Sequence, residues 1–384
     1  MQKPLLKIPY LGPFAPPRII PSEAHTLIGA VTGLIEFLTA PPPSSIPDNV
    51  LDPTSTVLLT GAGLSVASGL ADYRGANGTY KVNKNYRPIY YHEFISSHEA
   101  RKRYWARSFL GWKNLYKARP NVAHFAIKEL GKMEIVRSVI TQNVDSFHLM
   151  AHPKLPTLEL HGSLREVRCI SCNKRYSRSE FQGQLEKLNP IWKDFFDEAL
   201  NSEAFQDNGS FRRKPRGFST NPDGDVDIAG APYSTFRYPA CQNCLSNPLM
   251  ENDGSRKRVD VDNDGAWQIG STSGILKPDV IMFGESITSN NKEAAEQAID
   301  NSGRLLVLGT TLATYSAWRL AKRAKDRGMP ISIINLGGVR NEEYFYQDVL
   351  DSENGTNGVR TELKTDEVLP ELVGILKTLG CRKL

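Results

Sequence analysis

The run Thr56-Val57-Leu58-Leu59-Thr60-Gly61-Ala62-Gly63 decides the fold. Its first five residues are all β-branched or apolar, which reads as a buried strand, and the Gly-x-Gly that follows reads as a tight turn. Small residues beyond the turn allow a helix to start. In a strand–turn–helix of this kind, backbone N–H groups can approach a phosphate closely while the helix N-terminus adds partial positive charge. The stretch departs from the dehydrogenase fingerprint, because Val66 stands at the third glycine position and no acid lies about twenty residues further on to hold a ribose. Taken alone, Gly61-Ala62-Gly63 suits an ordinary turn and a nucleotide loop equally well.

Outward from this stretch, similar short apolar runs occur at 135–141, 157–160, 280–283, 304–309 and 331–335, with helical patterns between several of them. The clearest helix covers 312–327. Another, with Leu27, Val31, Leu34, Ile35 and Leu38 at helical spacing, precedes the first strand, and a Pro-rich linker at 41–53 separates the two. Strands alternating with helices predict an α/β fold with a Rossmann-like, mostly parallel sheet covered by helices on both faces. Two stretches break the alternation: a Tyr- and Arg-rich helical module near 91–117, and a long segment holding two Cys-x-x-Cys pairs. The expected layout is a possible transit or flexible segment at 1–22, a nucleotide-binding domain of 23–167 and 275–380 with a helical insertion at about 85–125, and a cysteine module at 168–274. Within or beside these, 201–232, 247–274 and 351–359 are rich in Gly, Asp, Asn and Ser and read as loops.

The 384 residues are enough for two to three domains of roughly 100–200 residues each. A formal charge of +5 is too dilute to imply a phosphate-rich partner, which needs clustered cations, so direct sequence-specific nucleic-acid binding is not expected. No membrane span is expected, since the longest apolar stretch, 27–38, contains Glu36 and falls short of the roughly 20 residues needed. Five cysteines, four of them paired by spacing, fit a metal site in a reducing compartment better than a disulfide scaffold. Cys381 is the odd thiol. Lys3, Lys7 and Arg18, with no acid before Glu23, suggest mitochondrial targeting, although repeated Pro spoils an amphipathic helix.

Several runs end in residues that carry chemistry. Asp72-Tyr73-Arg74 puts an acid, an aromatic ring and a guanidinium just past the glycine loop, a segment able to close over a bound molecule. Gln142-Asn143-Val144-Asp145 should emerge at the carboxyl end of a strand, where open α/β sheets bind ligands, although Asn143 and Asp145 could equally serve as helix caps. His161 ends another run and offers a base that titrates near neutrality. Gly309-Thr310-Thr311 and Asn335-Leu336-Gly337 end two more, and either could be simple turn chemistry. Cys169, Cys172, Cys241 and Cys244 would fill a tetrahedral zinc site and leave no open position, hence a structural one. The 68 residues between the pairs exceed the roughly 15–20 of compact zinc ribbons, so two independent redox pairs remain the alternative.

These motifs, in this order, resemble the sirtuins, NAD-dependent protein deacylases. The matching segments are GAGLSVASGLADYRGANGTY at 61–80, TQNVDSFH at 141–148, LELHGSL at 158–164, the two cysteine pairs, KPDVIMFGE at 277–285, GTTLATYSA at 309–317 and INLGG at 334–338. YWARSFLGW at 104–112, with Tyr73 where many members have Phe, looks most like the mitochondrial class that contains human sirtuin-4. The resemblance implies NAD as cofactor and acylated lysine proteins as substrates. It implies His161 as general base, Gln142 on the nicotinamide-side ribose, and Asn143 and Asp145 in the nicotinamide pocket. Gly61, Ala62, Gly63, Ser65, Asp72, Tyr73, Arg74, Tyr80, Val144, Gly309, Thr310, Thr311, Asn335, Leu336 and Gly337 would contact the rest of the cofactor. One structural zinc ion would sit on the four cysteines. Val280, Phe283, Gly284 and Glu285 would pair with the substrate backbone as an added strand.

Tyr104 and Arg107 lie three apart and, on a helix, share a face that could hold a substrate carboxylate; the resemblance implies, for a Tyr-x-x-Arg pair, a preference for acidic acyl groups. Arg101, Lys102, Arg103 and Arg107 could instead form a solvated basic face. Protein mono-ADP-ribosyl transfer, a non-catalytic NAD sensor and a zinc-dependent nucleic-acid binder are the competing functions. Joint presence of Asn143, Asp145 and His161 speaks against the sensor, and the lack of a dense basic stripe around the cysteines against the nucleic-acid binder.

Overall fold

In the computed structural model, alternate residues of the first strand bury themselves on opposite sides of a sheet. Leu58 joins one apolar cluster, Val57 and Leu59 another. The structure describes residues 14–380 apart from 43, 48, 84, 85, 195–218, 222, 223, 229, 352 and 353. The expectations for residues 1–13, for Cys381 and for most of the loop beginning at Asn201 lie outside the described residues. In chain order the strands are β1 (Asp52–Thr60), β2 (Val136–Thr141), β3 (Thr157–Glu159), β4 (Gly162–Cys169), β5 (Arg175–Ser177), β6 (Ser219–Thr220), β7 (Val226–Asp227), β8 (Leu276–Val280), β9 (Ser302–Leu308), β10 (Ile331–Ile334) and β11 (Arg360–Thr361).

The chain divides into two compact units. The first comprises the segments up to Val82, Ala118–His161 and from Ser286 on. Its six-stranded sheet has the order β11-β10-β9-β1-β2-β3, with every neighbouring pair parallel. Leu58, Val139, Leu306, Leu308 and Ile334 face the helices Leu27–Thr39, Val122–Lys132 and Thr365–Thr378. Val57, Leu59, Ile140, Leu305, Val307 and Ile333 face Ser289–Asp300, Tyr315–Asp326 and Glu342–Tyr346. Helices therefore cover both faces, and the near-continuous apolar strands follow from burial on two sides.

The strand order decides where a ligand can enter. From β1 the chain builds outward through β2 and β3, then returns to the other side of β1 to lay down β9, β10 and β11. Loops leaving the carboxyl ends of β1 and β9 run in opposite directions, and the crevice they leave is where open α/β sheets bind ligands.

The second unit, Asn83–Lys117 and Gly162–Glu285, holds the helices Tyr91–Ser96, His98–Lys117 and Arg178–Leu188 and the antiparallel sheet β5-β4-β8. Its core packs Phe94, Trp105, Phe109, Phe181, Tyr238 and Trp267 around three of the cysteines. The run at 280–283 was expected among the strands of the main sheet. It is not one of them: the strand covers Leu276–Val280 and pairs antiparallel with β4, because Pro278 and the buried Lys277 are tolerated at an edge. β11 was not anticipated; two residues carry too little apolar pattern to read as a strand. β1 begins at Asp52, so its first residues take over the end of the supposed linker. Among the described residues, no helix is long and apolar enough to cross a membrane.

Candidate active site

The glycine loop after β1 is shaped by close packing against the loop after β9. A Cβ at position 61 would lie 2.6 Å from Thr310 Cβ, and one at position 63 would lie 2.8 Å from the Gly309 carbonyl oxygen. The N–H of Gly61 bonds the Leu308 carbonyl at 3.0 Å and that of Gly63 bonds the Gly309 carbonyl at 2.9 Å. These two donors are thus engaged within the chain, a correction to the expectation of N–H groups left facing a phosphate. The expected α-helix start is instead a 3-10 helix, Ala62–Ser68, ended by Gly69 at φ 84°.

Beside this loop the end of β2 builds a buried polar cluster. Ser65 Oγ donates to Asp145 Oδ2 at 2.7 Å, and Asn143 Nδ2 donates to the Gly61 carbonyl and to Ser65 Oγ, each at 3.1 Å. Asp145 also accepts from the Phe147 N–H at 2.9 Å, the first N–H of the short helix Phe147–Ala151, whose N-cap residue is Ser146. Ser146 between them holds a left-handed conformation at φ 61°, a strain of the kind that persists where its surroundings fix it. Gln142 reaches the neighbouring strands: its Nε2 donates to the Thr60 carbonyl at 3.2 Å and to Thr310 Oγ1 at 3.0 Å, and its Oε1 accepts from Thr314 Oγ1 at 3.1 Å.

His161 follows β3 and is part-buried. Its Nδ1 lies 3.1 Å from the Gln142 carbonyl and its Nε2 lies 3.0 Å from Ser316 Oγ. Burial pushes the ring's pKa down to about 4, against a smaller upward pull from the Gln142 carbonyl, so the imidazole is neutral at ordinary pH. Three further histidines pack behind the site. His148 Nε2 lies 2.9 Å from Thr60 Oγ1, and His148 Nδ1 lies 2.9 Å from His152 Nε2. The His124 ring stands 5.1 Å from that of His148. Burial lowers all three, His124 to about 3. They are core residues of the first unit.

Asp72, Tyr73, Arg74 and Tyr80 form one folded-back loop. The Thr79 and Tyr80 N–H groups bond the Asp72 and Tyr73 carbonyls, Tyr73 stacks on Tyr80 with centroids 5.6 Å apart, and the Arg74 guanidinium lies 5.1 Å from the Tyr80 centroid. Burial raises Asp72 and lowers Arg74. Arg74 Nη2 is buried with no hydrogen-bond partner among the described residues, which suits an anionic group such as a diphosphate. At the far end, Asn335 Nδ2 donates to the Leu336 and Gly337 carbonyls, and the Gly337 N–H donates to Glu362 at 2.8 Å. Buried Arg360 supports this loop from β11 with bonds to the Asn335 carbonyl at 3.0 Å and the Gly337 carbonyl at 2.6 Å. Sequence reasoning missed Arg360, Glu362, Thr60, Thr314 and Ser316. No local pattern distinguishes them, since each is defined by a partner far away in the chain.

In the second unit the four cysteine sulfurs all lie within 4.8 Å of one another, and no other such cluster occurs among the described residues. Cys169 to Cys244 and Cys172 to Cys241 both measure 3.6 Å, too long for disulfides and close to the roughly 3.8 Å edge of a tetrahedron with 2.3 Å metal–sulfur bonds. Four cysteines are therefore positioned to bind one metal ion. Val280 ends the edge strand β8, and Lys277 and Glu285 close the turn after it with a buried ion pair at 3.1 Å. Lys277, at the start of this segment, is buried. The Phe283 carbonyl accepts from the Tyr91 N–H at 2.9 Å, and Gly284 takes φ 83°.

Tyr104 and Arg107 both lie on the helix His98–Lys117, but their surroundings differ. Tyr104 packs edge-on to Phe94, whereas Arg107 is buried and paired with Asp225 at 2.7 Å. Arg101 is also buried, bonded to the Tyr238 hydroxyl at 2.7 Å and to the Phe94 and Ile95 carbonyls. The four cations therefore do not form one solvated face.

Fold and site together define a doubly wound α/β protein with a second unit in which four cysteines are positioned to bind a metal ion. The Sir2 family pattern matches residues 61–316. NAD-dependent protein deacylase SIR4 of Batrachochytrium dendrobatidis is 39% identical over 84% of this chain and 90% of that protein. NAD-dependent protein deacylase Sirt4 of Drosophila melanogaster is 33% identical over 76% of this chain and 78% of that one. A solved structure of a Sir2 enzyme has TM-score 0.52 at 25% identity, covering 85% of this chain and 93% of that one. The chain belongs to the Sir2 family, the sirtuins.

Proposed function

We propose that the chain is an NAD-dependent protein-lysine deacylase that yields nicotinamide, free lysine and O-acyl-ADP-ribose. The observation that carries this is His161: a neutral imidazole, oriented by the Gln142 carbonyl, standing with Asn143, Asp145 and Ser65 at the carboxyl edge of the sheet. NAD supplies an electrophilic glycosidic carbon that a weak nucleophile such as an acyl-lysine carbonyl oxygen can attack. Asn143 and Asp145 hold the carboxamide side, Gln142 the adjoining ribose, and Arg74 with the Gly309–Thr311 and Asn335–Gly337 loops the diphosphate and adenosine side. His161 removes a proton from a ribose hydroxyl. Burial leaves its lone pair free of protons at ordinary pH and makes the ring a weaker base than a free imidazole, so the proton transfer depends on close positioning of the hydroxyl.

Substrate enters as acylated lysine within a protein segment that adds to the edge of β8, near Val280, Phe283, Gly284 and Glu285. Main-chain pairing of this kind predicts loose sequence preference. Zinc is the metal we assign to Cys169, Cys172, Cys241 and Cys244, in a closed structural role. Residues 23–167 and 275–380 are the segments we assign to the NAD-binding domain, and the mitochondrial matrix is the compartment we favour over cytoplasm or nucleus.

The test is a panel of acetyl, succinyl, glutaryl and long-chain acyl-lysine peptides incubated with NAD, with nicotinamide release and peptide mass followed together. His161→Ala or His161→Tyr is expected to abolish deacylation at an unchanged circular dichroism spectrum. A correctly folded variant with full activity removes the base from this residue.

A further inference from the structure

Ser316 has no part in the mechanism above, yet it touches the one atom of His161 that a base needs. A carbonyl oxygen only accepts, so the contact from Nδ1 to the Gln142 carbonyl places the ring hydrogen on Nδ1. Two influences act on the ring's basicity, burial and that carbonyl, and no charged side chain is among them. The lone pair of the neutral ring therefore lies on Nε2, and Ser316 Oγ, 3.0 Å away, must donate to it. Ser316 is the second residue of the helix Tyr315–Asp326, whose N-cap residue Thr314 donates to the Gln142 side chain. One helix start thus grips both the ring and the residue that anchors the ring.

We propose that Ser316 is a positioning residue that holds the Nε2 lone pair of His161 in the acceptor tautomer until a sugar hydroxyl replaces it. The inference rests on the reading of His161 as the base. A single bond from Nδ1 leaves an imidazole free to swing about that contact; a second bond on the opposite nitrogen fixes the ring plane. The serine hydroxyl donates while the ring is neutral and can rotate to accept once Nε2 carries a proton, so it accommodates both states without backbone movement. Donation into the lone pair also stabilises the neutral form and keeps the base unprotonated.

Two measurements on the full chain test this. In long-range 1H–15N spectra of the cofactor-free protein, His161 is expected as the Nδ1–H tautomer. Ser316→Ala is expected to move its titration upward by about half to one pH unit, and Ser316→Thr to restore it. With acetyl-peptide and NAD, Ser316→Ala is expected to lower kcat about ten-fold, with KM for NAD and acyl-dependent exchange of labelled nicotinamide changed less than about two-fold. A merely structural serine would alter exchange and turnover alike. The opposite tautomer in the parent, or an alanine variant with unmoved titration and unchanged kcat, overturns the proposal. A parent inert toward NAD, with the spectral shift present, counts against the deacylase reading and in favour of the Ser316 contact.

Discussion

At position 63 a methyl group would meet the Gly309 carbonyl oxygen at 2.8 Å and its Cα at 2.9 Å, both backbone atoms that cannot swing aside. Gly63→Ala is expected to destabilise the chain by about 1–3 kcal/mol through overpacking, read as a shift in the urea midpoint, and to weaken NAD binding because two loops must separate. An unshifted midpoint would mean that the loops yield freely. Gly61-Ala62-Gly63 was visible in the sequence as a special turn. What it turns against was not: Gly309 comes from another strand, and the physical demand on Gly63 is its proximity to that residue. The same holds for Asp145, which the sequence could read as a cap or a ligand and whose carboxylate accepts both from the Phe147 N–H and from Ser65.

Among the elements, the hairpin β6–β7 and the helix His98–Lys117 show how a partner changes the meaning of a residue. Val226 is fully buried in the second unit's core, and Gly224 makes its turn at φ 69° against Gly111, where a side chain would collide with the Gly224 carbonyl. This seats Asp225 on Arg107. Removing Asp225 leaves the buried guanidinium with only Asp227, at 4.0 Å, so Asp225→Ala is expected to cost about 3 kcal/mol in chemical unfolding. Should Arg107 also receive acidic acyl groups, Asp225 competes with them, and Asp225→Asn is expected to raise turnover of succinyl and glutaryl peptides relative to acetyl. An unchanged ratio would remove Arg107 from acyl selection. The cysteine knuckles give a second element-scale expectation. Trp105, Trp112, Trp192 and Trp267 all lie in the second unit, so stripping zinc with a strong chelator should shift tryptophan emission to the red, and elemental analysis beforehand should find one zinc per chain. Emission that ignores the chelator would argue that the thiols do not need metal to hold the unit together.

Over the whole molecule, buried histidines set an acid limit on stability. Burial lowers His124, His148, His152 and His161 below the usual histidine value, His98 to about 4 with help from Lys102 and Arg101. The folded chain then binds fewer protons than the unfolded chain between the two sets of pKa values. Stability from these rings is complete above about pH 6.5 and declines as pH falls toward 4, with a slope of up to about 1.4 kcal/mol per pH unit for each fully buried ring. Urea midpoints measured from pH 7.5 to 5.0, where carboxylates stay ionised, should fall steadily below 6.5. A flat profile would show that the rings take up protons in the native state at little cost.

By itself the sequence determined the class of sheet, the carboxyl ends of β1, β2, β9 and β10 and the two Cys-x-x-Cys pairs, because runs of β-branched residues, glycine turns and cysteine spacing act within a few residues of chain. Tertiary structure alone decided that β9 lies beside β1, that the run after Lys277 belongs to an antiparallel edge, that Arg107 already holds Asp225, and that Ser316 reaches His161. Each of these is a contact between segments far apart in the chain. Which donor meets which acceptor there depends on strand order and on what has been buried, and no neighbouring residue records either.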